Sequence, residues 1–235
     1  MTHFNIKIVS DTVCPWCYIG KKRLDRAIDL YRKVYPGGKD DTFTVSWSPF
    51  YLDPTSPKVG IPLRERMAQR FGPDVYVAMQ QRLALIGRED GISFGLDSRI
   101  GNTRDSHRLI QLGKTKGNDV ENRVVSELFT MYFEGNGDIT SHDHLIATAE
   151  KAGIEKGEAR EWLETDKGGK EVDAEVEQAY AKGIHGVPNF TINGKYVVDG
   201  AQDPQAFLEQ FAKVKEGQSE TPEANGAACT VGGQC

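Results

Sequence analysis

Ser10-Asp11-Thr12-Val13-Cys14-Pro15-Trp16-Cys17-Tyr18-Ile19-Gly20 is the stretch on which the reading of this 235-residue chain turns. Before it, Phe4 to Ser10 alternates apolar and polar residues, as a half-buried strand does. After it, Ile19, Leu24, Ala27, Ile28, Tyr31 and Val34 recur at three- and four-residue spacing, and Pro36-Gly37-Gly38 ends the helix so marked. Cys14 and Cys17 therefore stand where a strand gives way to a helix. Backbone N–H groups at a helix start lack partners, and the helix dipole is positive there. A thiol at that point is favoured as thiolate, the nucleophilic form, with a pKa lowered from about 8.5 to roughly 3.5–7. A second thiol three residues on lies one turn later on the same face, within reach of a small disulfide. Cys14 is thus predicted to attack and Cys17 to resolve. Pro15 stiffens the turn where its missing N–H costs little. Trp16 is expected to shield the sulfurs and to offer an apolar face to a partner. Asp11 reads as a proton acceptor for Cys17 or as a turn residue. The rival readings of the pair are half of a zinc site or two packed helix cysteines. Zinc needs four ligands, and the chain has no second Cys-x-x-Cys.

Working outward, Thr42 to Phe50 is rich in β-branched and aromatic residues at period two, which predicts a second strand before Asp53-Pro54. The first 53 residues thus read β-α-β. From Pro62 to about Lys182 nearly every segment reads helical, over 62–70, 73–88, 104–115, 119–134, 141–152, 155–164 and 169–182, with Thr140 or Ser141 as an N-cap. Strands return at Asn189–Ile192 and Lys195–Val198, with the hairpin pair Asn193-Gly194 between them. Asp203-Pro204 opens a last amphipathic helix through Phe207, Leu208, Phe211 and Val214. This order describes one α/β sheet interrupted by a helical insertion. After Glu216 the chain is small and polar, and disorder is expected there.

A formal charge of −5 argues against nucleic acid, which calls for a basic face. No basic stripe suits an anionic membrane, and no stretch approaches the roughly 20 apolar residues of a membrane span. The N-terminus lacks the pattern of a secretory signal, so a reducing compartment, the cytosol, is expected, unless the sequence is a processed form. Four cysteines in that setting favour redox catalysis or metal binding over a structural disulfide frame.

Gly186-Val187-Pro188 just precedes the third strand, where a proline is tolerated as a simple turn. A cis Val187–Pro188 bond would instead present the Val187 backbone to an extended substrate beside the disulfide. His185 reads either as a neighbour that stabilises the Cys14 thiolate when protonated or as an exposed loop histidine. Asn102 and His107 either line the cleft or serve helix capping and packing. His142 and His144, at a predicted helix start, make a weak case for metal, and none is expected. Cys229 and Cys235 close a loop disulfide, bind metal weakly or lie inert. The roughly 13 residues after Glu216 give a reach on the order of 20 Å, which would also let this pair act as a relay or cap for Cys14.

Cys14-Pro15-Trp16-Cys17 after a first strand, a helical insertion, and Gly186-Val187-Pro188-Asn189-Phe190 together resemble the DsbA-like branch of the thioredoxin superfamily. The Ser10–Gly20 stretch, Trp47-Ser48-Pro49-Phe50 and Asn102-Thr103-Arg104-Asp105-Ser106-His107-Arg108 are similar, more narrowly, to FrnE-type oxidoreductases. The resemblance covers roughly residues 4–215. It implies a thioredoxin-like domain from 1–57 plus 184–215, a helical insertion domain over 58–183 and a tail over 216–235. It further implies disulfide exchange or isomerisation on protein or small-molecule thiols, a cis proline at Pro188 facing the cysteines, and a second, C-terminal cysteine pair. The same branch holds 2-hydroxychromene-2-carboxylate isomerases and kappa-class glutathione transferases. These usually carry a single serine or cysteine in place of the dithiol. Glutathione accordingly enters as a co-substrate to be tested, and no other cofactor is expected.

Overall fold

The computed structural model of the protein describes residues 1–219. β1 (His3–Ser10) buries Phe4, Ile6 and Ile8 and turns His3, Asn5 and Lys7 to solvent. α1 (Pro15–Val34) follows, and β2 (Thr42–Pro49) returns parallel to β1, with Trp47 opposite Ile8. A two-residue strand β3 (Ile61–Pro62) opens the helical block, followed by α2 (Leu63–Phe71) and α3 (Pro73–Glu89). β4 (Arg99–Ile100), which pairs with β3, precedes α4 (Arg104–Lys116) and α5 (Asn118–Phe129). Then come α6 (His142–Lys151), α7 (Lys156–Glu164) and α8 (Gly169–Ala181). β5 (Asn189–Ile192) and β6 (Tyr196–Asp199) complete a sheet of order β2-β1-β5-β6, and α9 (Pro204–Ser219) closes the described chain. β5 runs antiparallel to β1 and β6 antiparallel to β5. The hairpin between them turns at Asn193 and Gly194, both at positive φ, as a two-residue loop of that type requires.

Three details differ from the expectation. The β3–β4 ribbon pairs residues 38 or so apart, and two-residue strands leave no periodicity to read. The helix expected over 119–134 stops at Phe129 and widens into a π turn over Thr130–Glu134, where the Gly135 N–H donates to the Thr130 carbonyl. α9 runs to Ser219, three residues past the point where order was expected to end. Cys229 and Cys235 lie outside the described residues, so their proposed roles stay expectations.

α1 and α9 pack together, and Phe4, Tyr31, Phe43 and Phe211 interlock around them with ring centroids 4.6–5.6 Å apart. At the same end Asp41, 3% exposed, accepts from the Thr2 N–H, the Tyr31 hydroxyl and the Lys215 ammonium. Burial pushes this carboxyl up, but those donors outweigh it, and the net displacement is below the ordinary 3.8. β2 is an edge strand whose outer groups do not stay open. The side-chain amides of Asn118 and Asn122 donate to the Val45 carbonyl, and Glu121 accepts from the Trp47 N–H at 2.8 Å.

The helical block is tied by Arg108, 2% exposed, whose guanidinium donates to the carbonyls of Trp162, Leu163, Thr165 and Lys167 and to Asp105. It thereby satisfies the end of α7, where unpaired carbonyls would otherwise be left. His142 pairs with Asp105, and His144 Nδ1 accepts from the Asp138 N–H, so both serve helix starts.

Candidate active site

The strand-to-helix junction is held by its own backbone. The Cys14 N–H donates to the Asp11 carbonyl at 3.1 Å, and the Cys14 carbonyl accepts from Cys17 and Tyr18. Cys14 is the N-cap of α1 and Pro15 its first residue, where a missing N–H is harmless. Thr12 Oγ1 and Ser106 Oγ, 2.7 Å apart, tie the junction to α4. Tyr18 stacks on Phe129 and Phe133 and donates to Glu134 Oε1, so the residue after the second cysteine is anchored in the helical block.

Both cysteines are free thiols. Cys14 donates to the Val187 carbonyl at 3.6 Å, and the Val187–Pro188 peptide bond is cis. This contact joins residues 173 positions apart and brings the proline loop against the dithiol. Cys14 is only 3% exposed, part of a core cluster against which Val13 and Val187 pack, while Trp16 stands out at 39%. A sulfur so placed meets small disulfides or disulfides carried on a slender extended segment.

Cys17 is more deeply set, at 1% exposure. Burial, together with the neighbouring Cys14 thiol, pushes it well above the ordinary 9.0, against the Ser10 hydroxyl and the Asp11 backbone, which favour its thiolate. Cys17 therefore rests protonated, which suits the second of two nucleophiles.

The remaining expected residues are placed as follows. The Asp11 carboxylate does not serve Cys17; its Oδ2 accepts from the Leu52 N–H at 2.8 Å and its Oδ1 lies 3.4 Å from His107 Nε2. His107, buried, also sits 3.2 Å from the Phe50 carbonyl. Asn102 is turned to helix capping, its Oδ1 accepting from the Arg104 N–H at the start of α4. His185 is exposed in a surface hollow that it shares with Val187 and Pro188, and Cys14 does not line that hollow. Among the described residues no cluster of His, Cys, Asp and Glu has the makings of a metal site.

Two features escape a reading of the sequence. Ser10, the last residue of β1, reaches Cys17, and only the strand's register shows it. The second is a cavity of about 270 Å³ that begins at Val13, Pro15 and Trp16 and runs under α2 and α3 to the π turn. Its far wall comes from residues 50 to 120 positions downstream, so no local motif announces it.

Comparison with known proteins agrees with this fold. An uncharacterised Bacillus subtilis protein, YwbO, is 28% identical over 207 residues, covering 86% of this chain and 93% of its own. A probable DsbA oxidoreductase from Streptomyces coelicolor superposes with a TM-score of 0.79 at 26% identity, over 91% of each chain. A 2-hydroxychromene-2-carboxylate isomerase shares the fold at 15% identity, with a TM-score of 0.63 over 92% of this chain and 97% of that one. The match to a family model extends from residue 5 to residue 212, nearly all of the described chain, and the protein belongs to the DSBA-like thioredoxin domain family.

Proposed function

We propose that the protein is a thiol–disulfide oxidoreductase working through Cys14 and Cys17. The Cys14 thiolate attacks one sulfur of a substrate disulfide, forms a mixed disulfide and expels the first thiolate. Cys17, losing its proton, then attacks Cys14 Sγ, and the second thiolate leaves. Two electrons have passed to the substrate, and the enzyme holds a Cys14–Cys17 disulfide. A thiol such as glutathione returns it to the dithiol by the reverse steps. Run backwards as a whole, the cycle oxidises substrate dithiols. The observation that supports this reading is the contact of Cys14 with the Val187 carbonyl, next to a second, protonated thiol.

Reduction of insulin or of a small disulfide, with dithiothreitol or glutathione as reductant, tests it. Cys14→Ser is expected to abolish turnover. Cys17→Ser is expected to stall at the mixed disulfide, visible as an adduct by mass spectrometry. Undiminished turnover in Cys17→Ser would point to the glutathione-dependent isomerase or transferase chemistry of the related branch. Undiminished turnover in the double variant would overturn the dithiol reading altogether.

A further inference from the structure

The cavity beside the dithiol contains a feature that the proposed exchange does not use. Tyr132 is 1% exposed and lines the cavity, yet its hydroxyl has no hydrogen-bond partner among the described residues. Buried hydroxyls nearly always find a partner, and an orphan calls for an explanation. Burial, and after it the charge of Asp11, keep this phenol protonated. It is therefore a permanent donor lying in an apolar wall. Tyr132 sits in the π turn, a local widening of the helix that is frequent at functional sites.

The rest of the lining has a consistent chemistry. Met67, Met79 and Leu83 of α2 and α3 face the space that Val13 and Trp16 bound on the dithiol side. Methionines make adaptable walls and favourable contacts with aromatic rings. At the rim, Arg82 is exposed and makes no ion pair among the described residues. A volume of about 270 Å³ is slightly below that of pockets for drug-sized ligands, and it accommodates one or two rings.

Resting on the dithiol reading, we infer that this cavity selects the substrate: it seats an aromatic ring, with a hydrogen-bond acceptor and a nearby anionic group, carried next to the sulfur that Cys14 attacks. The acceptor meets the Tyr132 hydroxyl, the ring meets Met67, Met79 and Leu83, and the anion meets Arg82. Small aryl disulfides and peptide disulfides with an aromatic neighbour present this same chemistry.

Stopped-flow oxidation of the reduced full-length protein tests the inference, two electrons passing from the dithiol to each disulfide. Four probes are compared: dithiobis-nitrobenzoate, hydroxyethyl disulfide, and the symmetrical disulfides of acetyl-Cys-Phe and acetyl-Cys-Ser. The ring-bearing member of each pair is expected to show saturable kinetics. Met79→Trp, filling the cavity from its open side, should cut the preference for the ring-bearing member about tenfold. Tyr132→Phe, which removes only the oxygen, should cut it for dithiobis-nitrobenzoate by about fivefold. Val34→Trp, exposed at the end of α1 opposite the dithiol, should leave the preference as it is. Loss confined to the nitrobenzoate pair identifies small aryl disulfides as the substrates, and loss confined to the peptide pair identifies peptides. If wild type reduces all four probes and both cavity variants keep its preferences, the inference is overturned. If wild type reduces none, the dithiol reading fails and this one with it.

Discussion

At the scale of single residues, the two cysteines are unlike because their surroundings are. Cys14 meets a carbonyl on the proline loop, whereas Cys17 is buried against Ser10 and the Asp11 backbone. Ser10 is the side-chain donor that, with the Asp11 backbone, favours the Cys17 thiolate against burial, so in the proposed cycle it aids the release step. Ser10→Ala should push Cys17 still higher and slow release at neutral pH by about three- to tenfold, since nucleophilicity recovers part of what thiolate fraction loses. The deficit should shrink as pH rises toward the pKa of Cys17. Single-turnover rates of mixed-disulfide resolution between pH 6 and 10 check this; a deficit that does not vary with pH would count against it. The cysteine pair itself was legible because its spacing and its strand-to-helix setting are local. Of the two readings of Asp11, the turn is the one the structure matches, its carbonyl accepting from the Cys14 N–H, while its carboxylate turns toward Leu52 and His107 and away from Cys17.

At the scale of elements, α1 carries the dithiol and also supports the loop that faces it. Gly20 lies where the helix passes beneath that loop, and a Cβ there would meet Phe190 Cζ at 2.9 Å and Pro188 Cγ at 3.0 Å. Phe190 is fully buried and has no room to move away. Gly20→Ala, although it favours helix by propensity, is therefore expected to destabilise by about 1–3 kcal/mol. It should also depress disulfide reduction beyond the loss of folded protein, because the Pro188 loop is the part that yields. Thermal melting alongside initial rates separates the two effects. Periodicity marked α1 and nearly every helix of the block to within a residue or two. It missed the π turn, since Phe129, Tyr132 and Phe133 fit an α-helical spacing, and the wider turn shows only in the hydrogen bonds.

At the scale of the whole molecule, sheet and insertion share one core. A continuous apolar cluster runs from Phe4 and Ile8 through Cys14, Cys17 and Tyr18 to Leu109, Phe129 and Leu163. Urea unfolding followed by far- and near-ultraviolet dichroism should thus give coincident transitions. Asp41 links the N-terminus, α1 and α9 at the far end of this core. Its carboxyl lies below the ordinary value in the folded state. Its contribution is therefore complete above the unfolded value of 3.8 and fades as pH falls through the lower, folded one. Asp41→Asn should cost about 2 kcal/mol at pH 7, shift both transitions together, and cost progressively less as pH falls below 3.8. Two separate transitions would mean that the insertion folds as its own unit. The sequence conveyed the order of the elements, because each is written locally. It did not convey that the two parts are fused, because that depends on contacts between residues a hundred positions apart.

Trp16 lies between Cys14 and Cys17 in the chain with 39% of its surface in water, while Trp47 is held by Asn122 and Trp162 by the Arg108 carbonyl. A disulfide drains an excited indole of its energy far more effectively than a pair of thiols does. On the dithiol reading, the protein thus carries an optical gauge beside Cys14 and Cys17: its emission should brighten when electrons are stored and dim when they are handed on, with no label attached.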